Sequence, residues 1–151
     1  MSYLAEGLEG TVAKDLAYLF VGQELGHGMS RTAYTMEHDK TVIVKREVGG
    51  GFFQNIREWE IWKEVKDTPF AKWFAPCVDI SPNGIFLIQK RVTIVEKDRY
   101  PELMPKFFTD FKYQNYGILG KQFVCFDYGT MPLLGSLTKG MKKADWWDAD
   151  N

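Results

Sequence analysis

Cysteine, histidine and charge of one sign are all scarce in this chain. Only two cysteines occur, Cys77 and Cys125, far apart and outside any C-x-x-C or Cys/His metal spacing. A disulfide framework normally uses more of them, so reduced thiols in a cytosol are expected. The formal net charge is −1, which gives no electrostatic case for nucleic acid or an anionic membrane as partner. No apolar run approaches the roughly 20 residues that a membrane helix needs. The N-terminus lacks the basic region and apolar stretch of a signal peptide. These absences point to a cytoplasmic protein.

What is abundant is aromatic surface. Five Trp, seven Tyr and eleven Phe make up 15% of the 151 residues. Such side chains either fill the core of a small domain or form an exposed surface for a partner. With 45% hydrophobic and 26% charged residues, the composition is that of a folded domain with one core, too short for two ordinary ones. No internal repeat, low-complexity segment or domain linker is evident, so residues 1–151 are read as a single domain.

Residues 1–19 place Leu4, Leu8, Val12, Leu16 and Leu19 at near-helical spacing. Residues 20–26 and 31–36 read as paired strands around a Gly-rich turn. The β-branched run Thr41-Val42-Ile43-Val44, ending in Lys45, reads as a strand covered on at least one face. Gly49-Gly50-Gly51 is a flexible link. Beyond it, residues 52–66 have helical periodicity, with Ile56, Trp59, Trp62 and Val65 as the apolar stripe. Residues 74–80 and 85–89 read as a hairpin around Ser81-Pro82-Asn83-Gly84. Pro101 and Pro105 discourage a helix across residues 93–108. Residues 123–126 read as a buried strand. The segment 141–151 is expected as a short helix or a frayed end, with Trp146 and Trp147 as candidate exposed aromatics.

Four motifs carry chemistry, in this order along the chain. Leu25-Gly26-His27-Gly28 has two glycines that let a backbone approach phosphate oxygens. Lys45 ends its strand like the lysine of V-A-I-K. Asp110 and Asn115 have four residues between them, with Lys112 inside that interval. Twelve residues after Asn115 comes Asp127-Tyr128-Gly129. Phosphoryl transfer needs oxygen ligands for Mg²⁺ and a carboxylate facing the acceptor. Each motif alone also reads as an ordinary turn or strand end.

Together these motifs resemble the protein-kinase-like superfamily, and more narrowly the very short kinase-like proteins encoded by bacteriophages. The resemblance covers residues 20–129. It implies an α+β fold: a kinase-like small lobe over about residues 20–92, with a five-stranded antiparallel sheet and one helix. A much reduced large lobe would follow over about 93–151, carrying the catalytic-loop and D-Y-G elements. It implies ATP and Mg²⁺, with Gly26, Gly28 and Lys45 on the phosphates and Asn115 and Asp127 on the metal. Asp110 would face the acceptor and Lys112 would neutralise γ-phosphate charge. Gln89 would lie behind the adenine, with Lys90, Arg91 and Val92 as the hinge. The helix would supply an acid to Lys45. At 100° per residue, Glu58 lies about 40° from Trp62 and about 20° from Val65, whereas Glu60 falls outside that arc, so Glu58 is the expected partner.

Three departures stand out. Arg31 replaces the third loop glycine, either crowding the phosphates or adding a cation to them. Phe108-Thr109 replaces the His-Arg that precedes the catalytic Asp, and D-F-G has become D-Y-G. The stretch after Gly129 is too short for an activation segment and the helices that hold a protein substrate. Two functions follow from the resemblance. One is a minimal Mg-ATP phosphotransferase acting on a host protein from the host cytoplasm. The other is a non-catalytic kinase-fold protein that grips a host partner and regulates it.

Overall fold

The computed structural model describes residues 21–48, 51–132 and 137–149. The expected stretch 1–19, Phe20, Gly49 and Gly50 lie outside these residues. Strands β1 (Val21–His27), β2 (Arg31–Met36), β3 (Asp39–Glu47), β4 (Cys77–Ile80) and β5 (Phe86–Lys90) form a five-stranded antiparallel sheet in the order β1-β2-β3-β5-β4. Between β3 and β4 runs helix α1 (Gln54–Val65). The fold is α+β, with one α-helix among the described residues.

Register sets what the sheet offers to the helix. Arg31 pairs with Glu47 and Ala33 with Lys45, while Lys45 and Ile43 pair with Leu87 and Gln89. Directly opposed residues share a face and alternate ones repeat it. Arg31, Lys45, Glu47, Leu87 and Gln89 therefore line one side of the sheet. The β-branched run of β3 is buried on both sides: Val42, Ile43 and Val44 are 3%, 7% and 1% exposed.

Helix α1 buries Val65 of the expected apolar stripe and packs Trp59 and Trp62 partly against the core, but its deepest face is rotated from that stripe. Its buried residues are Asn55, Glu58, Ile61 and Val65, whereas Ile56 is 37% exposed. The stripe is rotated because the deepest neighbours of the first turns are charged sheet residues, so polar side chains belong there. Phe53, in the left-handed region at φ 54°, stops the helix from starting earlier. No side chain caps it; instead Glu47 of β3 accepts the Asn55 N–H at 2.6 Å, satisfying a donor left open by the first turn.

The strand expected over 74–80 begins only at Cys77, because Pro76 has no N–H to give a ladder. Ahead of it lies a 3-10 turn, Pro69–Trp73. The second half of the chain is built from short pairs. Strand β7 (Tyr116–Leu119) pairs with β8 (Gln122–Cys125), and β6 (Leu103–Pro105) pairs with β9 (Met141–Lys143). The 141–149 segment is thus neither a helix nor a frayed end: it is extended and docked by backbone pairing. Trp146 is not an exposed aromatic either. It is partly buried in the core and donates its indole N–H to the Pro101 carbonyl at 2.7 Å. One contiguous core joins Ile61, Val65 and Leu87 to Phe108, Tyr116, Cys125 and Tyr128.

Candidate functional site

The site grows from Glu58, which has no exposed surface. Its Oε1 accepts from Lys45 Nζ at 2.5 Å and from Gln89 Nε2 at 3.2 Å. Its Oε2 accepts from Arg31 Nη2 at 3.2 Å and from the backbone N–H groups of Tyr128 at 3.0 Å and Gly129 at 2.9 Å. Glu58 is therefore the acid beside Lys45, whereas Glu60 pairs with exposed Lys63 on its own helix. Burial works to raise the Glu58 pKa, but Arg31 and Lys45 outweigh it and bring it down to about 2.

Arg31 is the second centre. Its guanidinium donates to Asn55 Oδ1 at 3.1 Å, to Glu58, and to Asp127 Oδ1 at 2.6 Å. Burial opposes its charge, yet Glu58 and Asp127 hold its pKa above the ordinary value. Asn55 completes the lattice, its amide donating to the carbonyls of Lys45 and Ile85 at 2.9 Å each. Sequence reasoning missed Asn55, although it stands three residues before Glu58 and so on the same helix face.

Asp127 follows β8 and is partly exposed, 39% by its side chain. Lys45 Nζ also donates to the carbonyl of Phe126, immediately before Asp127. Gly129 lies against the start of α1: a Cβ there would meet the Gln54 carbonyl oxygen at 2.5 Å. The Asp127-Tyr128-Gly129 turn is thus stitched to helix and sheet together. Asn115 is buried, and its carbonyl accepts the Phe126 N–H at 2.9 Å, so backbone pairing brings it next to this turn.

Asp110 and Lys112 are held by a different element. Asp110 Oδ1 accepts the indole N–H of Trp147 at 2.9 Å, and Lys112 Nζ stands 5.9 Å from the centre of the same ring. Trp147 exchanges backbone hydrogen bonds with Phe111 and Tyr113. Gly26 and Gly28 flank open space, with nothing within 4 Å of a Cβ at either position. Gln89 is fully buried behind Glu58, and among the described residues its Oε1 has no hydrogen-bond partner. Arg91 is exposed and stands apart from the charged lattice. It lines a cavity of about 770 Å³ with Lys40, Thr41, Pro76, Lys90, Val92, Thr93, Ile94 and Leu119. The buried Cys77 thiol is pushed up to about 12 by burial and then by Glu58, and Cys125 is raised by burial, so both behave as core residues.

The expected nucleotide and metal fit this arrangement poorly. Of Asp127, the residue assigned to Mg²⁺, the Oδ1 atom is engaged by the Arg31 guanidinium. Among the described residues no group of three or more His, Cys, Asp or Glu side chains could hold a metal ion. Two of the hinge donors are also engaged: the N–H groups of Lys90 and Arg91 go to the carbonyls of Pro76 and Thr41 at 2.9 and 2.8 Å. Comparison with protein-family models and with curated proteins finds no match for the chain.

Proposed function

We propose that this chain is a kinase-like binding module in which the residues of a phosphate site have become structural. One observation carries the reading: Arg31 bridges Asp127 at 2.6 Å and Glu58 at 3.2 Å. A protein cation thereby takes the place on Asp127 that Mg²⁺ needs, and ties the glycine hairpin, helix α1 and the D-Y-G turn into one unit. The D-Y-G backbone donors and the Lys45 ammonium turn toward Glu58 rather than outward. Among the described residues the second half is built from short strand pairs, and positioning the acceptor is a large share of catalysis. The module acts on a host protein by holding it.

A minimal Mg-ATP phosphotransferase is the second reading. It is favoured by the Lys45–Glu58 pair, which the family uses to hold phosphates, with Asp110 and Lys112 on the acceptor side. A melting scan with millimolar Mg-ATP, run beside transfer of labelled phosphate to lysate proteins, separates the two. Ligand bound only by the native state raises the melting temperature. The binding module gives no shift and no transfer. A shift together with transfer lost in Asp110→Asn would overturn it.

A further inference from the structure

The cavity at the end of the sheet has a chemistry that the charged lattice does not use. It lies between the start of β3, Pro76 ahead of β4, residues 90–94 after β5, and Leu119 at the end of β7. Its volume of about 770 Å³ falls in the range of ligand sites. Pro76, Val92, Ile94 and Leu119 give it apolar walls, and Ile94 is 61% exposed, a large aliphatic side chain left to water. Lys40, Lys90 and Arg91 are its charged lining, all exposed, and no acidic residue lines it.

This positive lining is local, because the whole chain carries a net charge of −1. Among the described residues, none of Lys40, Lys90 and Arg91 is in a salt bridge. The nearest acid in sequence, Asp39, takes two hydrogen bonds from Thr41, which together with the nearby Lys90 ammonium lower its pKa. Its Oδ1 accepts both the side-chain O–H of Thr41 at 2.6 Å and the Thr41 N–H at 2.9 Å. Register places Lys90 opposite Val42, and Lys40 shares the face of Val42. The two lysines therefore stand together on the side turned away from α1.

The walls are also fixed before any ligand arrives. Lys90 N–H goes to Pro76, Arg91 N–H to Thr41, and Thr93 exchanges both backbone bonds with Ile118, all at 2.8 or 2.9 Å. Gly117 makes the last contact feasible, because a Cβ there would meet the Thr93 carbonyl oxygen at 2.5 Å. A preformed site spares a ligand the cost of ordering it.

From this juxtaposition of exposed cations, apolar walls and locked backbone, we infer that the groove binds an acidic segment of a partner protein. Carboxylates of that segment meet Lys40, Lys90 and Arg91, and an apolar side chain enters between Ile94 and Leu119. This deepens the binding-module reading and rests on it. Several cations spread along one groove suit several carboxylates on an extended chain, with Arg91 able to take one of them in two hydrogen bonds.

The probe is a labelled dodecapeptide alternating Glu and Leu, followed by fluorescence anisotropy. Controls are a peptide with Lys for Glu, one with Ser for Leu, and a single-stranded DNA of equal charge. Saturable binding is expected for the Glu/Leu peptide alone, weakened about tenfold or more by the double variant Lys90→Glu/Arg91→Glu, and several-fold by Ile94→Ser. Raising salt from roughly 50 to 200 mM should weaken it further. These side chains are exposed, so unchanged melting temperatures will show that the variants fold. No saturable binding at millimolar peptide, equal binding by the DNA, or an affinity indifferent to the double variant would each overturn the inference. If the groove fails while Mg-ATP leaves the melting temperature unmoved, the binding-module reading survives. If Mg-ATP shifts melting and phosphate is transferred, that reading falls whatever the peptide does.

Discussion

On the sheet side of the molecule, Arg31, Lys45, Asn55 and Glu58 are each no more than 7% exposed and hold one another by directional bonds. At the loop end, Tyr100, Phe111, Tyr113, Tyr116 and Phe123 surround Trp146 with ring centroids 4.9 to 5.8 Å from it. The two regions are held together by opposite means. Charges taken from water are tolerated only while every partner is present, whereas an aromatic cluster gains from area and ring geometry and is indifferent to pH. The first therefore specifies one arrangement of hairpin, helix and D-Y-G turn, and the second supplies adhesion to a chain end with little regular structure.

Breaking the charged region at its centre gives the largest expected effect. Glu58→Gln leaves Arg31 and Lys45 buried with a neutral partner, and a loss of about 3–5 kcal/mol is expected in urea unfolding. The same carboxylate sets the acid limit. Its pKa falls from 4.5 to about 2 on folding, so its contribution is complete above about 4.5 and is lost as pH drops toward about 2. At roughly 1.4 kcal/mol per unit that is about 3 kcal/mol. Unfolding free energies measured from pH 6 down to pH 2 should show this slope in the wild type and a much flatter one in Glu58→Gln.

Breaking the aromatic region comes next. Trp146→Ala removes a partly buried indole and its bond to Pro101, for an expected loss of about 2–4 kcal/mol. Unlike the first variant, its deficit should be the same at pH 7 and pH 4. A deficit that grew on acidification would show that the two regions are coupled rather than separate.

The same contrast explains what could be read from the sequence. Strand β3 was legible because Thr41 to Val44 are all β-branched, and Glu58 because helical period fixes direction. The helix stripe was legible at Val65, Trp59 and Trp62, but Asn55 was missed because periodicity equates burial with apolar character, whereas Asn55 faces polar groups supplied by the sheet. The role of Arg31 depends on Asp127, 96 residues away, and no local pattern encodes that. The tail was opaque for a similar reason: β9 has three residues, too few to show a period, and its partner β6 lies far upstream. Trp147 over Asp110 is a long-range contact of the same kind. The hinge donors were assigned to a ligand because sequence order alone does not reveal that Pro76 and Thr41 already accept them.

Arg31→Met sharpens the comparison by keeping length while deleting charge. Glu58 keeps Lys45, and Asp127 can hydrate, so the expected loss is smaller, about 1–3 kcal/mol. The acid transition should move to higher pH, because one of the two cations that depress the Glu58 pKa is gone. Melting scans with Mg²⁺ and ATP then test the occupancy argument. A shift in Arg31→Met that is absent from the wild type would show that the guanidinium blocks the metal position. A shift in both would show that it does not.

The smallest effect is expected where the two regions come closest in purpose, at Trp147. Its indole is 47% exposed, and its bonds to Asp110 and the face it offers Lys112 lie at the surface. Trp147→Ala should therefore cost less than about 1 kcal/mol, with Trp146 still anchoring the tail. Its value is in what it releases. With the indole removed, Asp110 Oδ1 loses the donor that occupies it. If the chain were a phosphotransferase masked by its own tail, Trp147→Ala would also raise phosphate transfer above the wild-type level. The binding-module reading requires no transfer in either protein. A variant that is stable and stays silent would place the block at Arg31 on Asp127 and not at the tail, whereas one that gains transfer would move it to Trp147.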